Sequence, residues 1–304
     1  MLERMKTMFD IKIGTLIPEA HCRSMLPTLN EMGFESYELN MNPWKPKDYQ
    51  EMAKEVLPLL DGRPVGAIGM YGNTLEDEQV RQSVMDAICG AKYLHCDTIG
   101  LFAGALKDRP FEEALPVFRK VFSELCAAAE EHGVRLALEN CSMGGTWRRG
   151  TENIASNGDA WARLFDAVPS PALGLEWEPA HAMSQLIDPV AQLRAWAKKV
   201  FHVHGKDATI AWDVIRAHGI QSPERFVWDR TPGFGDSNWC DLITILMQNG
   251  YHGSIDIEGY HDPVFYADAE WSAQARSLHY LKDCRGGQTW YPEMAYNGWR
   301  TERK

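Results

Sequence analysis

The sequence predicts a (β/α)8 barrel with a C-terminal extension, and three observations carry that expectation. Short β-branched or apolar runs alternate with longer amphipathic stretches from end to end, eight such runs can be counted, and 304 residues is near the usual barrel length. One phrase also repeats: in EEHGVRLALEN, AKKVFHVHG and QNGYHGSIDIEG a helix ends, one turn follows, and an apolar strand runs to a polar residue. No low-complexity linker divides the chain, so one catalytic barrel is expected over residues 1–284.

Taken in order, the expected strands are IKIGTL (11–16), ESYELN (35–40), VGAIGMY (65–71), CDTIGLF (96–102), VRLALEN (134–140), ALGLEW (172–177), VFHVHG (200–205) and GSIDIEG (253–259). Helices are expected near 19–32, 47–60, 75–91, 110–132, 157–167, 188–198, 237–249 and 266–283. Gly33, Gly133 and Gly250 suit helix ends, Thr74 and Asp188 suit amino-terminal caps, and Pro189 suits a first helical turn. Two longer excursions leave the carboxyl face, at 141–156 and 206–236. The extension, 285–304, is polar and aromatic, with Trp290, Tyr291, Tyr296 and Trp299, and is expected to pack on the barrel or on a neighbouring subunit.

Composition narrows the function classes. A formal charge of -11 disfavours nonspecific binding to nucleic acid and fits a small neutral or metal-bridged substrate better. The seven Cys form no CxxC pair and suit a reduced compartment, and no segment reaches the ~18 apolar residues of a membrane span. A cytoplasmic protein without a membrane or nucleic-acid partner is expected. There is no glycine-rich dinucleotide motif, phosphate loop or serine-triad signal, so no nucleotide cofactor is expected.

In a barrel the carboxyl ends of different strands converge, so residues distant in sequence can share a site. Those ends carry Glu139 in LALEN, Glu178 and His181 in LEWEPAH, His202 and His204 in FHVHGKD, and Glu258 in SIDIEGY. Four consecutive strands thus end in groups able to bind a divalent ion. Carboxylates gathered without compensation raise one another's pKa, whereas a bound cation reverses that balance. Alternation places Glu139 in phase with Arg135 and Ala137, and Glu258 in phase with Ser254 and Asp256. His202 and His204 share a face, with His204 nearer the mouth and His202 one layer below. Glu176 shares the phase of Glu178 and is expected to support it or to bind a sugar hydroxyl.

At these residues the chain resembles the xylose-isomerase-like barrel superfamily of sugar-phosphate isomerases and epimerases, especially its ketose 3-epimerase and inosose-processing branches. The resemblance runs from IKIG to about Leu281, and LALEN, LGLEWEPAH, FHVHGKD, PGFGD with Trp239, and GYHGSIDIEG carry it. It implies one divalent ion held by Glu139, Glu178, His204 and Glu258, with Glu139 and Glu258 doubling as the acid/base pair. It also implies that His181 contacts substrate, that Arg230 lies near the opening, and that the protein is a homodimer or homotetramer. Two departures stand out: Glu178 replaces the family's usual Asp, and GYHDP follows Glu258 where many relatives carry a second acidic residue near His261.

The resulting expectation is an isomerase or epimerase of a keto sugar or related polyol, working through an enediolate. A one-His, three-carboxylate set suits Mn²⁺ first and admits Mg²⁺, Co²⁺, Zn²⁺ or Fe²⁺. Lys206 and His202 can orient hydroxyls or shuttle protons. Trp44 and Trp147, in the loops after the second and fifth strands, can stack on a sugar ring. Two rivals share the fold: a lyase or dehydratase of an inosose or 3-keto-glycoside, and a non-catalytic sugar-binding barrel subunit.

Overall fold

A computed structural model describes residues 10–259 and 261–286. Eight parallel strands close into a barrel: β1 (Lys12–Pro18), β2 (Tyr37–Asn40), β3 (Val65–Met70), β4 (Thr98–Leu101), β5 (Arg135–Glu139), β6 (Leu173–Trp177), β7 (Val200–Gly205) and β10 (Ser254–Ile257). β10 pairs with both β7 and β1, so no barrel edge is left open. All eight expected strands form, each within about two residues of its expected ends.

The outward side chains of the strands meet the apolar stripes of the surrounding helices. Phe118, Phe122, Trp161, Leu242 and Leu246 are fully buried there, on helices Phe111–His132, Gly158–Ala167 and Trp239–Gln248. Asp188 caps its helix by accepting the Val190 and Ala191 N–H groups, with Pro189 in the first turn, as the sequence suggested. Thr74 does not cap: its hydroxyl donates to the Phe102 carbonyl, and Asp77 caps helix Glu78–Gly90. Among the described residues no helix is long and apolar enough to cross a membrane.

The excursion at 206–236 is more ordered than a loop. Strands β8 (Asp207–Ile210) and β9 (Val227–Arg230) form an antiparallel ribbon and bracket helix Trp212–His218. Pro179 stops β6, as its missing N–H dictates, and also opens the short helix Pro179–Ser184, which the sequence reading did not include. Arg285, at the end of the last helix, binds the Ile11 carbonyl and both oxygens of Glu35, which ties that helix to the start of β1. The expected extension lies outside the described residues from 287 onward.

Candidate metal centre

Glu139 ends β5, Glu178 follows β6, His204 lies near the end of β7, and Glu258 follows β10. Parallel strands bring these four ends to one mouth, where four buried donor atoms lie within 4.8 Å of one another. His204 Nδ1 stands 3.1 Å from Glu139 Oε1, 3.5 Å from Glu178 Oε2 and 3.3 Å from Glu258 Oε2. Among the described residues, both oxygens of Glu178 and Oε2 of Glu258 are buried without a hydrogen-bond partner. Buried carboxylate oxygens in that condition are strongly unfavourable unless a cation meets them, so this donor set fits a divalent ion.

A second polar layer lies immediately below. Glu38 on β2 accepts from Tyr71 Oη at 2.8 Å through Oε1, and its Oε2 lies 2.8 Å from His204 Nε2. Tyr71 Oη also lies 2.6 Å from Glu176 Oε2, so the two carboxylates share its one hydrogen. His202 spans from Glu176 Oε1, 2.7 Å from Nδ1, to Asp256 Oδ2, 2.8 Å from Nε2, while Ser36 donates to Asp256 Oδ1 at 2.7 Å. Every polar side-chain atom of Glu38, Glu176, His202 and Asp256 is therefore paired. Strand glycines make the room: a Cβ on Gly69 would sit 2.4 Å from Glu38, and one on Gly100 2.3 Å from Glu176.

His204 joins the two layers. A carboxylate at Nε2 favours the tautomer with its hydrogen there, which leaves the Nδ1 lone pair facing Glu139, Glu178 and Glu258. Burial pushes Glu139 up to about 7 despite the neighbouring His204. Burial also opposes ionisation of Glu258, but Lys206 and His204 overcome it and hold that carboxyl well below its usual range. For His202 the desolvation that disfavours imidazolium is outweighed by Asp256 and Glu176, and its pKa rises to about 10. Six carboxylates (Glu38, Glu139, Glu176, Glu178, Asp256, Glu258) outnumber the groups of the two layers that can carry positive charge (His181, His202, His204, Lys206), and that excess of acid suits a bound cation.

The mouth opens into a cavity of about 660 Å³. His181, Lys206 and Trp44 line it with Glu139, His204 and Glu258. His181 Nε2 is 3.2 Å from Glu178 Oε1, and Lys206 is buried with Nζ 2.9 Å from Glu258 Oε1 and 2.8 Å from His261 Nδ1. Trp44 is 57% exposed, its indole donating to Asp77. Four other residues expected at the substrate do not line the cavity. Glu176 and His202 belong to the lower layer, where their hydrogen bonds are taken up. Trp147 stacks on Phe111 at 4.3 Å and donates to Glu112, because its loop folds back over the helix that follows β4. Arg230, at the end of β9, is held by Asp262 at 3.1 Å.

Sequence reasoning did not select Glu38 or Asp256. Asp256 shares the inward phase of Glu258, which was a usable signal, while Glu38 is a lone acid in YELN whose partner His204 lies 166 residues away. Trp177, beside Glu178, is fully buried and donates to Gln192, so it offers no face to the cavity.

The family model of the xylose isomerase-like TIM barrel matches residues 26–284, and the chain belongs to that family. The chain is similar to an uncharacterized protein, YfiH, of Bacillus subtilis, at 27% identity over 155 residues, which is 48% of this chain and 45% of that protein. It is also similar to an inosose dehydratase of Clostridium beijerinckii, at 24% identity over 251 residues, covering 79% of this chain and 73% of that enzyme. Among solved structures it resembles the 3-keto-D-glucoside 4-epimerase YcjR of E. coli in fold, with a TM-score of 0.67 and 16% identity over 90% of this chain and all (100%) of that one. The match to YfiH thus spans less than half of that relative's length.

Proposed function

We propose that this protein is a divalent-metal-dependent isomerase or epimerase of a keto sugar or related polyol. The observation that carries the reading is the mouth itself: Glu139 and Glu258 flank one histidine nitrogen beside buried, unpartnered carboxylate oxygens at the floor of a cavity. Glu139, Glu178, His204 and Glu258 would hold the ion. When bound there it supplies Lewis acidity toward the substrate carbonyl, worth several kcal/mol in such reactions.

The chain's own groups do the rest. Glu139 and Glu258 project from β5 and from the end of β10, so one takes a proton from the carbon next to the carbonyl and the other returns one. His181 and Lys206 line the same cavity and orient hydroxyl groups, and the exposed indole of Trp44 offers a face to the sugar. Mn²⁺ is the ion we assign, on a set of one nitrogen and three carboxylates. The net charge of -11 supports a small carbohydrate as partner rather than nucleic acid. We place the protein in the cytoplasm as a homodimer or homotetramer.

One observation favours a second reading. The Lys206 ammonium sits beside Glu258 inside the cavity, where it can protonate a departing hydroxyl, and the similarity to an inosose dehydratase points the same way. That would make the enzyme a lyase acting on an inosose or 3-keto-glycoside. A panel of keto sugars, inososes and keto-glycosides in D₂O with Mn²⁺, followed by NMR, separates the two. Solvent deuterium enters the carbon beside the carbonyl in both, while only elimination releases water or an aglycone. Glu139→Gln and Glu258→Gln each lower deuterium incorporation by about 10²- to 10⁴-fold. Full activity in metal-stripped wild-type protein sinks the metal mechanism.

A further inference from the structure

Glu139 borders a second group of donors, of which the proposed chemistry leaves the Cys141 thiol unused. Cys141, two residues beyond it, and His181, in the helix after β6, bring a sulfur and a nitrogen to its carboxylate, and the three donor atoms lie within 4.8 Å of one another. Glu139 Oε1 stands 3.1 Å from His204 Nδ1 and 3.9 Å from His181 Nε2, so the carboxylate lies between the two groups. All three residues line the cavity.

The backbone that carries them is braced. The Asn153 amide donates to the carbonyls of Glu139 and Cys141 at 2.9 and 2.6 Å. Asn140 exchanges two hydrogen bonds with the backbone of Glu178, at 2.9 and 2.8 Å, which fixes the β5 loop against the turn bearing His181. Both asparagines are buried. A Cys–His–Glu set held in this way has the donor chemistry and the preorganisation of a metal position rather than of a chance cluster.

We propose that Glu139, Cys141 and His181 form a second cation position, for a thiophilic divalent ion of the zinc class, with Glu139 as the shared carboxylate. It goes beyond the proposed reaction and rests on that reading only in sharing Glu139 and His181. Thiolate and imidazole select Zn²⁺, Co²⁺ or Cd²⁺ over Mg²⁺ and Mn²⁺, whereas the oxygen-rich quartet accepts the harder ions. On binding, the Cys141 S–H bond breaks as the sulfur–metal bond forms, and the proton passes to buffer with no change of oxidation state. Three protein donors leave a further coordination position open to the cavity.

Anaerobic titration of the full chain with Co²⁺ tests this. The wild type takes up about two equivalents, and one of them brings a sulfur-to-cobalt charge-transfer band in the near ultraviolet. Cys141→Ser loses that band and one equivalent; Glu178→Gln keeps the band. A wild type without the band, or a band that survives Cys141→Ser and so arises at another thiol, overturns the proposal. A second measurement needs no variant. Zn²⁺ slows alkylation of Cys141 in the native protein by about tenfold or more, read by peptide mass spectrometry, because the coordinated thiolate is no longer the free nucleophile. Unchanged labelling overturns it. If both equivalents bind but no keto substrate exchanges deuterium, the enzymatic reading fails and this site stands.

Discussion

Two layers of buried carboxylate and histidine lie one above the other inside this barrel, and they differ in how their charge is met. In the lower layer each oxygen of Glu38, Glu176 and Asp256 has a partner, and His202 is gripped at both nitrogens. In the upper layer Glu178 has no hydrogen bond among the described residues, only His181 Nε2 at 3.2 Å, and Glu258 has a hydrogen bond on a single oxygen, with His204 Nδ1 3.3 Å from the other. Both layers are equally buried, so burial alone does not mark a site. The contrast teaches that a closed hydrogen-bond circuit holds the barrel interior and aims His204, while an open one leaves donors that could hold a cation.

The largest expected effect comes from changing the open layer. Glu178→Gln should lower both bound divalent ion and deuterium exchange by about 10²-fold or more, since it removes a ligand charge. The same change should lower the stability of the metal-free protein by no more than about 1–2 kcal/mol in urea, because Glu178 makes no direct hydrogen bond among the described residues and loses only the facing charges of His181 and Lys206. A loss of about 3–5 kcal/mol there would place Glu178 with the closed layer and break the comparison.

In the lower layer the cost is larger. Glu176→Gln removes the charge that faces His202 and should destabilise the protein by about 3–5 kcal/mol, with or without metal, as breaking one partner of a buried pair does. Chemical denaturation with and without EDTA reads both results. A smaller effect follows from pH. His202 has its pKa raised from 6.5 to about 10, so its contribution is complete below pH 6.5 and is lost as pH climbs through about 10. Unfolding midpoints measured over that window should fall in the wild type and fall less steeply in His202→Gln. The smallest effect belongs to Trp44, which lies outside both layers and is 57% exposed. Trp44→Ala should change stability by no more than about 0.5 kcal/mol and raise KM about 2- to 10-fold if the indole meets the sugar.

Much of this was legible in the chain. Each barrel strand announced itself because a strand buried on both faces reads as an apolar run, and Asp188 with Pro189 marked a helix start that the backbone obeys. Residues at strand ends were found for the same reason: position along a strand is local information. Thr74 misled because the chain makes one more turn before Asp77 closes onto its helix, a choice set by the Thr74 hydroxyl finding the Phe102 carbonyl. Trp147 misled because a loop's path depends on what it lands on, here Phe111.

What the amino-acid order determined by itself was the set of strands, their parallel repeat, and the inward phase of Glu139, Glu178, His204 and Glu258, since each depends on periodicity within a few residues. What only the closed barrel decided was which groups meet across it. Glu38 comes to His204 and His202 to Asp256, and Cys141 reaches His181, through contacts between segments far apart in the chain, and the same closure left both Glu178 oxygens without a hydrogen bond among the described residues. Pairing of that kind is a property of the closed volume, where every donor and acceptor is either taken or left over, and no single strand contains it.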